Sequence, residues 1–427
     1  MKILFISRYI PDDPKKVHGT YKRIATFIDA LKGIAELDVL FFAPPDYDYS
    51  PSRISELEES ISKLWKTEIK LFLYPMSEFN MDSELIKWIS FGKGVFSFSK
   101  QKGRIEFSDQ AQVRAVENCL ELKPDAIFAH RLSSMCPLLL TKKPLPPIFF
   151  DLDDIEHIAL NRYIQTRNSV KTKLLYFLLP ALTRGEYNSI RLASRTAVCS
   201  DLDRRYLNEK YGLAGVITIP NAVEIPRLEP ITSAPNLLFL GSEYPPNVDA
   251  AQYLLKDIWP LVRKSLPHAK LIIAGTSADK LRLKTTVIPG LEVLGFVDDL
   301  ADLYRRVRAT AVPILMGAGT RFKIIEAAAY GKPTVATTVG AEGLEFTEGS
   351  EILIRDDPQA FAEACVRLLS DTYLCEKMGM AAREKAIRLY DRKNIIKTVR
   401  EEIKSLLVSD KPNFSPDSNL NINIDVE

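Results

Sequence analysis

The sequence predicts an α/β chain of two doubly wound, Rossmann-like domains facing a central cleft, and three observations carry that prediction. Short apolar segments alternate with segments of helical period up to Ile219, and the same alternation restarts at Asn236, as in parallel sheets joined by crossover helices. Between the two series, PNAVEIPRLEPITSAPN holds Pro220, Pro226, Pro230 and Pro235 in one short span and breaks all periodicity, which marks a linker. The stretch from Val312 to Gly343 then leads a strand through glycines into a helix, the arrangement that presents backbone N–H groups to a phosphate. A length of 427 residues also exceeds what one core usually holds.

Each element follows from its residues. Lys2 to Ser7 is a continuous apolar run, as in a parallel strand covered on both faces, and the loop RYIPDDPKKVHGT leads to a helix from Thr20 to Lys32. Strands follow at Leu37–Ala43 and Ile69–Tyr74. From Pro44 to about Gly103 the pattern is irregular and rich in aromatic residues (Trp65, Trp88, Phe91, Phe96, Phe98). A helix around Gln110–Leu122, strands Ala126–His130 and Ile148–Asp151, a long helix near Val170–Leu192, and strands Thr196–Ser200 and Gly215–Ile219 complete the first series. The second series reads strand Asn236–Gly241, helix Val248–Ser265, strand Lys270–Gly275, a short helix, strand Leu291–Phe296, helix Asp299–Val307 and strand Thr310–Leu315. A helix then starts near Thr320 and stops at Gly331 and Pro333, followed by strands Pro333–Thr338 and Glu351–Ile354. Helices near Pro358–Leu369, Tyr373–Leu389 and Lys393–Leu407 close the chain. The expected domains are 1–222, joined by a C-terminal helix at 391–408, and 223–390, with a disordered polar tail at 409–427.

Composition narrows the class. Hydrophobic content of 46% with 26% charged residues is that of an ordinary globular protein, and a net charge of +2 gives no ground for bulk nucleic-acid binding. The five cysteines (Cys119, Cys136, Cys199, Cys365, Cys375) are scattered in apolar contexts, as for reduced core thiols. MKILFISRYIP reads as a first strand rather than a leader, so a cytoplasmic location is expected, at the inner face of the membrane if the next feature docks there. Between Arg162 and Arg195 lie Arg162, Arg167, Lys171, Lys173, Arg184, Arg191 and Arg195 against the single acid Glu186, beside the apolar run LLYFLLPALT. Two readings stand: peripheral contact with an anionic membrane, or a buried helix with a solvated basic edge.

The chemistry concentrates at Gly317, Gly319 and Thr320, where the strand empties into the helix N-terminus. One acid, Glu326, stands on that helix among Ile324, Ile325, Ala327, Ala328 and Ala329. A carboxylate so placed needs a polar partner, and a ribose with two hydroxyls is a suitable one. No G-x-G-x-x-G follows the first strand, which speaks against a dinucleotide oxidoreductase.

NLLFLG with PPNVDAAQYLL, KLIIAG, LEVLGFVDDL, GAGTRFKIIEAAAYGKPTVATTVGAEGL and the linker IPNAVEIP resemble the nucleotide-binding half of a GT-B glycosyltransferase of family 4, the retaining group. The resemblance follows the order of elements over about the whole chain, with its specific motifs between Asn236 and Gly343. It implies transfer of a sugar from a nucleoside-diphosphate sugar (UDP or GDP) to a saccharide or lipid-linked acceptor of the cell envelope or an exopolysaccharide, without cofactor or metal. Glu326 matches the second acid of the family's glutamate pair, which binds the donor ribose. The first acid of that pair, eight positions earlier, is Ala318 here. The loop Gly241–Asn247, with Gly241, Ser242 and Asn247 as donor contacts, reads GSEYPPN and lacks the family's arginine and lysine for the diphosphate. Arg321 and Lys323 stand close enough in sequence to replace them, although Lys323 and Glu326 are also spaced for an i, i+3 pair.

The resemblance further places Gly295, Phe296 and Val297 at the nucleobase, and Gly340, Ala341, Glu342 and Gly343 at the donor sugar. Gly19, ahead of Thr20 at the first long helix, falls where backbone approaches the donor phosphate or acceptor, and Thr20 as an N-cap explains the pair without a ligand. His130, at the end of AIFAH, resembles the family histidine near the reacting sugar and is expected to face the cleft. The implied catalytic set is His130, Arg321 and Lys323. DLDDIEH (Asp151–His157) contains a D-x-D of metal-binding type, but lies in the first domain where an acceptor-facing or structural role is preferred. A non-catalytic nucleotide-sugar-binding protein and a nucleotide-sugar epimerase remain as alternatives.

Overall fold

The computed structural model describes residues 1–11, 19–76, 110–167, 169–213, 215–230, 232–281 and 288–408. The readings of Trp88, Phe91, Phe96 and Phe98, and of the tail 409–427 lie outside the described residues. Contacts divide the chain into two units, Met1–Ile219 with Ile396–Glu427, and Pro220–Ile395.

The first unit is built on a parallel sheet of β1 (Lys2–Ser7), β2 (Glu36–Ala43), β3 (Ile69–Pro75), β4 (Ala126–His130), β5 (Ile148–Asp153), β6 (Arg195–Val198) and β7 (Val216–Thr218), in the order β3-β2-β1-β4-β5-β6-β7. Ile3, Leu4, Phe5 and Ile6 are all buried, as a strand covered on both faces requires. Phe5 and Phe149 stack on either side of Phe128 at ring-centroid distances of 5.4 and 5.2 Å, and these rings knit β1, β4 and β5 together. The order reverses between β1 and β4, whose C-terminal ends are Ser7 and His130.

The second unit repeats the plan with β8 (Asn236–Leu240), β9 (Lys270–Ala274), β10 (Leu291–Val293), β11 (Ala309–Val312), β12 (Thr334–Ala336) and β13 (Ile352–Ile354), in the order β10-β9-β8-β11-β12-β13. Its switch point lies between β8 and β11, in register at Leu237 with Ala309 and Leu238 with Thr310. Ligands of doubly wound sheets bind beyond the strand ends at such a point. The loops leaving β8 and β11 are those that hold Gly241 and Gly317.

Several expectations are corrected by the structure. The irregular stretch after Pro44 contains a helix, Pro51–Trp65, capped by the Ser50 hydroxyl accepting from the Arg53 N–H at 3.4 Å and ended by Lys66 in the left-handed region. Helices Leu132–Leu140, Glu156–Thr166 and Asp201–Tyr211 are additional. The last carries its own signal, Ser200 as N-cap and Gly212 as C-cap. The long helix Val170–Leu192 is broken into Val170–Leu174, a tight turn at Leu175–Leu178, and Leu179–Leu192, because Pro180 fits only the first turn of a new helix. β11 stops at Val312 and the following helix begins at Phe322, so the glycine loop is longer than the sequence suggested.

Candidate functional site

At the end of β11 the backbone turns through Gly317 (φ 116°) and Gly319 (φ 73°), a region that non-glycine residues enter at a cost. Gly319 is buried, while Gly317, Ala318 and Thr320 are half-buried. Arg321 folds back on this loop and donates to the carbonyls of Ala318 (2.6 Å) and Gly319 (3.1 Å). In this conformation its guanidinium holds the loop together. Thr320 Oγ1 accepts from Asn221 Nδ2 at 2.9 Å, which ties the linker residue Asn221 to the same loop.

Three of the predicted donor-site residues from separate elements meet directly. Lys323 Nζ donates to Asn247 Oδ1 at 2.8 Å, and Asn247 Nδ2 donates to Ser242 Oγ at 3.0 Å. The ammonium also lies over the Phe239 ring, 4.9 Å from its centroid. Burial first, then repulsion from Arg321, pull Lys323 down to about 7, with Glu326 opposing the fall. Lys323 therefore reaches across to the β8 loop rather than serving only an intrahelical pair.

Glu326 is 7% exposed, and its Oε2 accepts from the Tyr304 hydroxyl at 3.5 Å. Tyr304 in turn stacks on Tyr330, centroids 4.3 Å apart. A tyrosine twenty-two residues earlier thus supplies one polar partner of the kind such a carboxylate needs. Burial and the neighbouring carboxylate push the Tyr304 hydroxyl well above its ordinary range, so it remains a donor.

The loops after β8, β9 and β10 converge. Gly241 O accepts from Ser277 N at 3.0 Å, and Gly295 O accepts from Gly275 N at 2.8 Å. Gly275 has φ 92°, and a Cβ there would collide with the Gly241 carbonyl. Phe296 is exposed on this edge, and Val297 packs inward. Gly340 lies so close to the end of β11 that a Cβ would stand 2.6 Å from Val312 O. Its N–H donates to Thr337 Oγ1 (3.0 Å) and that of Ala341 to Thr337 O (2.9 Å). The amides of Gly340 and Ala341 thus close a short helix. Glu342 and Gly343 are half-buried.

In the first unit Gly19 opens the helix Gly19–Leu31. His130, expected from the sequence to face the cleft, is instead wholly buried. Its ring stacks with Phe5, is met edge-on by Tyr9, and takes a hydrogen bond at Nδ1 with Ser7 Oγ, 3.0 Å away. Ser7 Oγ also accepts from Tyr9 N, and the other ring nitrogen, Nε2, lies 3.9 Å from Asp151. Burial, and then Arg131, hold His130 down at about 3, so the ring is neutral. Arg23 donates to both oxygens of Asp151 (Nη2 at 2.6 Å to Oδ1, Nε at 3.0 Å to Oδ2) and lies 3.3 Å from Asp153, which Arg131 also holds at 2.5 Å. Burial works to raise Asp153, and Arg131 and Arg23 together outweigh it. Arg131 and Asp153 both adopt positive φ (64° and 62°), strain placed at the strand ends where function concentrates.

The D-x-D carboxylates are thus occupied by two guanidinium groups. Asp153, Asp154 and Cys199 come close enough to share an ion, but Asp153 is already paired and burial holds the Cys199 thiol protonated, a donor set that does not suit a divalent cation. His157 joins neither aspartate. Its Nδ1 bonds Glu186 and its Nε2 the Tyr206 hydroxyl at 2.9 Å, which fastens helix Glu156–Thr166 to its neighbours. Sequence reading missed Tyr304, Ser7 and Arg23, none of which stands in a motif. Asn221 was visible only as part of the linker.

Residues 234–371 match the family model described as "Glycosyl transferases group 1". An "Uncharacterized 44.6 kDa protein in cps region" of Klebsiella pneumoniae is 24% identical over 176 residues, 39% of this chain and 45% of that protein, so the match spans less than half of the curated relative. Among solved structures, TarM superimposes with a TM-score of 0.66 at 12% identity, over 96% of this chain and 99% of that one. Sucrose-phosphate synthase of Thermosynechococcus elongatus gives 0.66 at 16% identity, over 95% and 98%. Anabaena HepE, solved with UDP and glucose, gives 0.62 at 15% identity, over 95% and 100%. At these identities the structures establish the fold, that of the GT-B glycosyltransferases.

Proposed function

From the premise that residues 234–371 carry a glycosyl transferases group 1 domain in a chain of GT-B fold, we propose that the protein moves a sugar from a nucleoside-diphosphate sugar to a saccharide or lipid-linked acceptor, with retention at the anomeric carbon. The observation that carries this reading is the chain Ser242–Asn247–Lys323, which sets a desolvated ammonium beside a glycine turn at a helix N-terminus, three residues before the buried Glu326. Lys323 and the turn amides neutralise the charge that develops on the departing diphosphate. Glu326 holds the ribose, with Tyr304 fixing the carboxylate. A diphosphate oxygen takes the acceptor proton, so no dedicated protein base is needed. Arg321 first secures the loop and swings to the diphosphate only if it leaves the carbonyls of Ala318 and Gly319.

A uridine diphosphate donor is favoured because HepE and the Staphylococcus aureus TarM are both described in complex with UDP. The Klebsiella relative in a cps region supports polysaccharide synthesis as the setting. A non-catalytic sugar-nucleotide-binding protein is the second reading, favoured by Ala318 at the first acid of the pair. A thermal-shift series with uridine and guanosine diphosphate sugars, followed by transfer from a labelled donor, separates the two. Binding with turnover that disappears in Glu326→Ala and Lys323→Ala supports the transferase. Binding without turnover selects the second reading, and no shift with any donor removes both.

A further inference from the structure

The proline-marked linker is not a free tether. Contacts place it within the second unit, Pro220–Ile395, and its residues grip the segment that carries Lys323 and Glu326 at both ends. At the front, Asn221 is 8% exposed and donates from Nδ2 to Thr320 Oγ1 at 2.9 Å, just ahead of helix Phe322–Ala329. At the rear, the buried Arg383 joins linker to helix: one guanidinium nitrogen donates to Pro226 O at 2.6 Å and another to Ala329 O, in the last turn of that helix. Just beyond, a Cβ on Gly331 would stand 2.9 Å from Leu228 Cδ1, so the linker also packs against the turn that ends the helix.

The grip is itself anchored. Val223 lies in the core of the second unit, where its N–H donates to Tyr390 O at 2.8 Å and its carbonyl accepts from Arg392 N at 2.9 Å. The linker is thereby paired in parallel with the stretch on which the chain returns. Tyr390 is buried, and its hydroxyl accepts from Glu345 N at 3.0 Å, which fixes that stretch in turn. Two residues from this pairing, the buried Asn221 side chain has little freedom left to lose when it bonds Thr320.

The turn ahead of Thr320 needs such support. Gly317 and Gly319 both have positive φ, and glycine leaves other shapes open to the backbone. No side chain caps helix Phe322–Ala329 at Arg321. We propose that Asn221 is a positioning residue of the sugar-nucleotide site. Acting through Thr320, it holds the glycine turn in the shape whose amides meet the terminal phosphate of a nucleoside diphosphate, and it touches no ligand itself. A turn fixed before binding has less ordering to undergo, which raises affinity. The inference rests on the sugar-nucleotide reading and adds that the linker sets part of the affinity for the diphosphate.

Calorimetric titration of the full chain with UDP and with UMP tests it, because UMP lacks the phosphate assigned to the turn. Asn221→Ala should weaken UDP roughly fivefold and UMP less than about twofold, as expected when the loss of one buried hydrogen bond falls on the diphosphate alone. Thr320→Val removes the accepting oxygen, and the double variant should bind UDP no more weakly than the weaker of the two single variants. Glu224→Gln alters an ion pair with Arg392 beside the same pairing, through a side chain that is 82% exposed, and should leave both affinities unchanged. Asn221→Ser, too short to reach Thr320, is read in the same way if the alanine variant does not fold. Equal losses for UDP and UMP, native affinity for both, or losses that add in the double variant overturn the proposal. A native protein that binds neither nucleotide fails the sugar-nucleotide reading itself, and the inference with it.

Discussion

Lys323 sits in an environment that disfavours its own charge. Burial and Arg321 lower it to about 7, whereas an unfolded lysine titrates near 10.4. Between those values the unfolded chain binds more protons than the folded one. This group therefore costs stability below its folded pKa, and that cost is relieved as the pH rises toward the unfolded value. A diphosphate needs the opposite state, the ammonium. UDP affinity should fall as pH rises from about 6 to about 9, the folded pKa lying inside that window. The measurement is calorimetric titration of UDP across that range, with Lys323→Arg as the comparison. The arginine keeps its charge, so a slope as steep as that of the native protein would assign the pH dependence to another group.

At the level of elements, the site is an assembly of strand-end loops held by backbone contacts. Gly275 is the tightest of these, with positive φ and no room for a Cβ beside the Gly241 carbonyl. Gly275→Ala should separate the loops after β8 and β9 and lower stability by about 1–3 kcal/mol. It should weaken UDP binding as well, because Ser242 and Asn247 stand on the displaced loop. Urea unfolding and UDP titration of the variant measure the two effects, and a variant with native affinity would show that the β8 loop does not contact the donor. Much of this level was legible in sequence: the glycines, the caps and the strand runs are local signals. The break at Leu175–Leu178 was not read, although Pro180 was there to announce it, because the apolar run continues across it.

For the molecule as a whole, the C-terminal helix Arg392–Val408 begins within the second unit and its body packs with the first. Val399, Ile403 and Leu406 are buried, and Arg400 donates to the carbonyls of Ala30 (3.1 Å) and Asp29 (2.8 Å) at the end of helix Gly19–Leu31. Truncation after Asp391 should remove these contacts at a cost of roughly 1.5–3 kcal/mol per buried aliphatic side chain. The first unit should then unfold at lower temperature while UDP still stabilises the second. Differential scanning calorimetry with and without UDP checks both halves of that statement, and an unmoved first transition would refute the helix's role.

The sequence by itself determined the two α/β alternations, the proline-marked break between them, and the glycine turn ahead of Lys323 and Glu326, because each depends on residues close together in the chain. Only the tertiary structure decided which partner each polar atom takes. Lys323 meets Asn247 across 76 positions, Glu326 meets Tyr304 across 22, and His130 is sealed against Ser7 across 123. A buried charge or imidazole must find its hydrogen-bonding partner in space, and folding, not spacing along the chain, chooses which one is near.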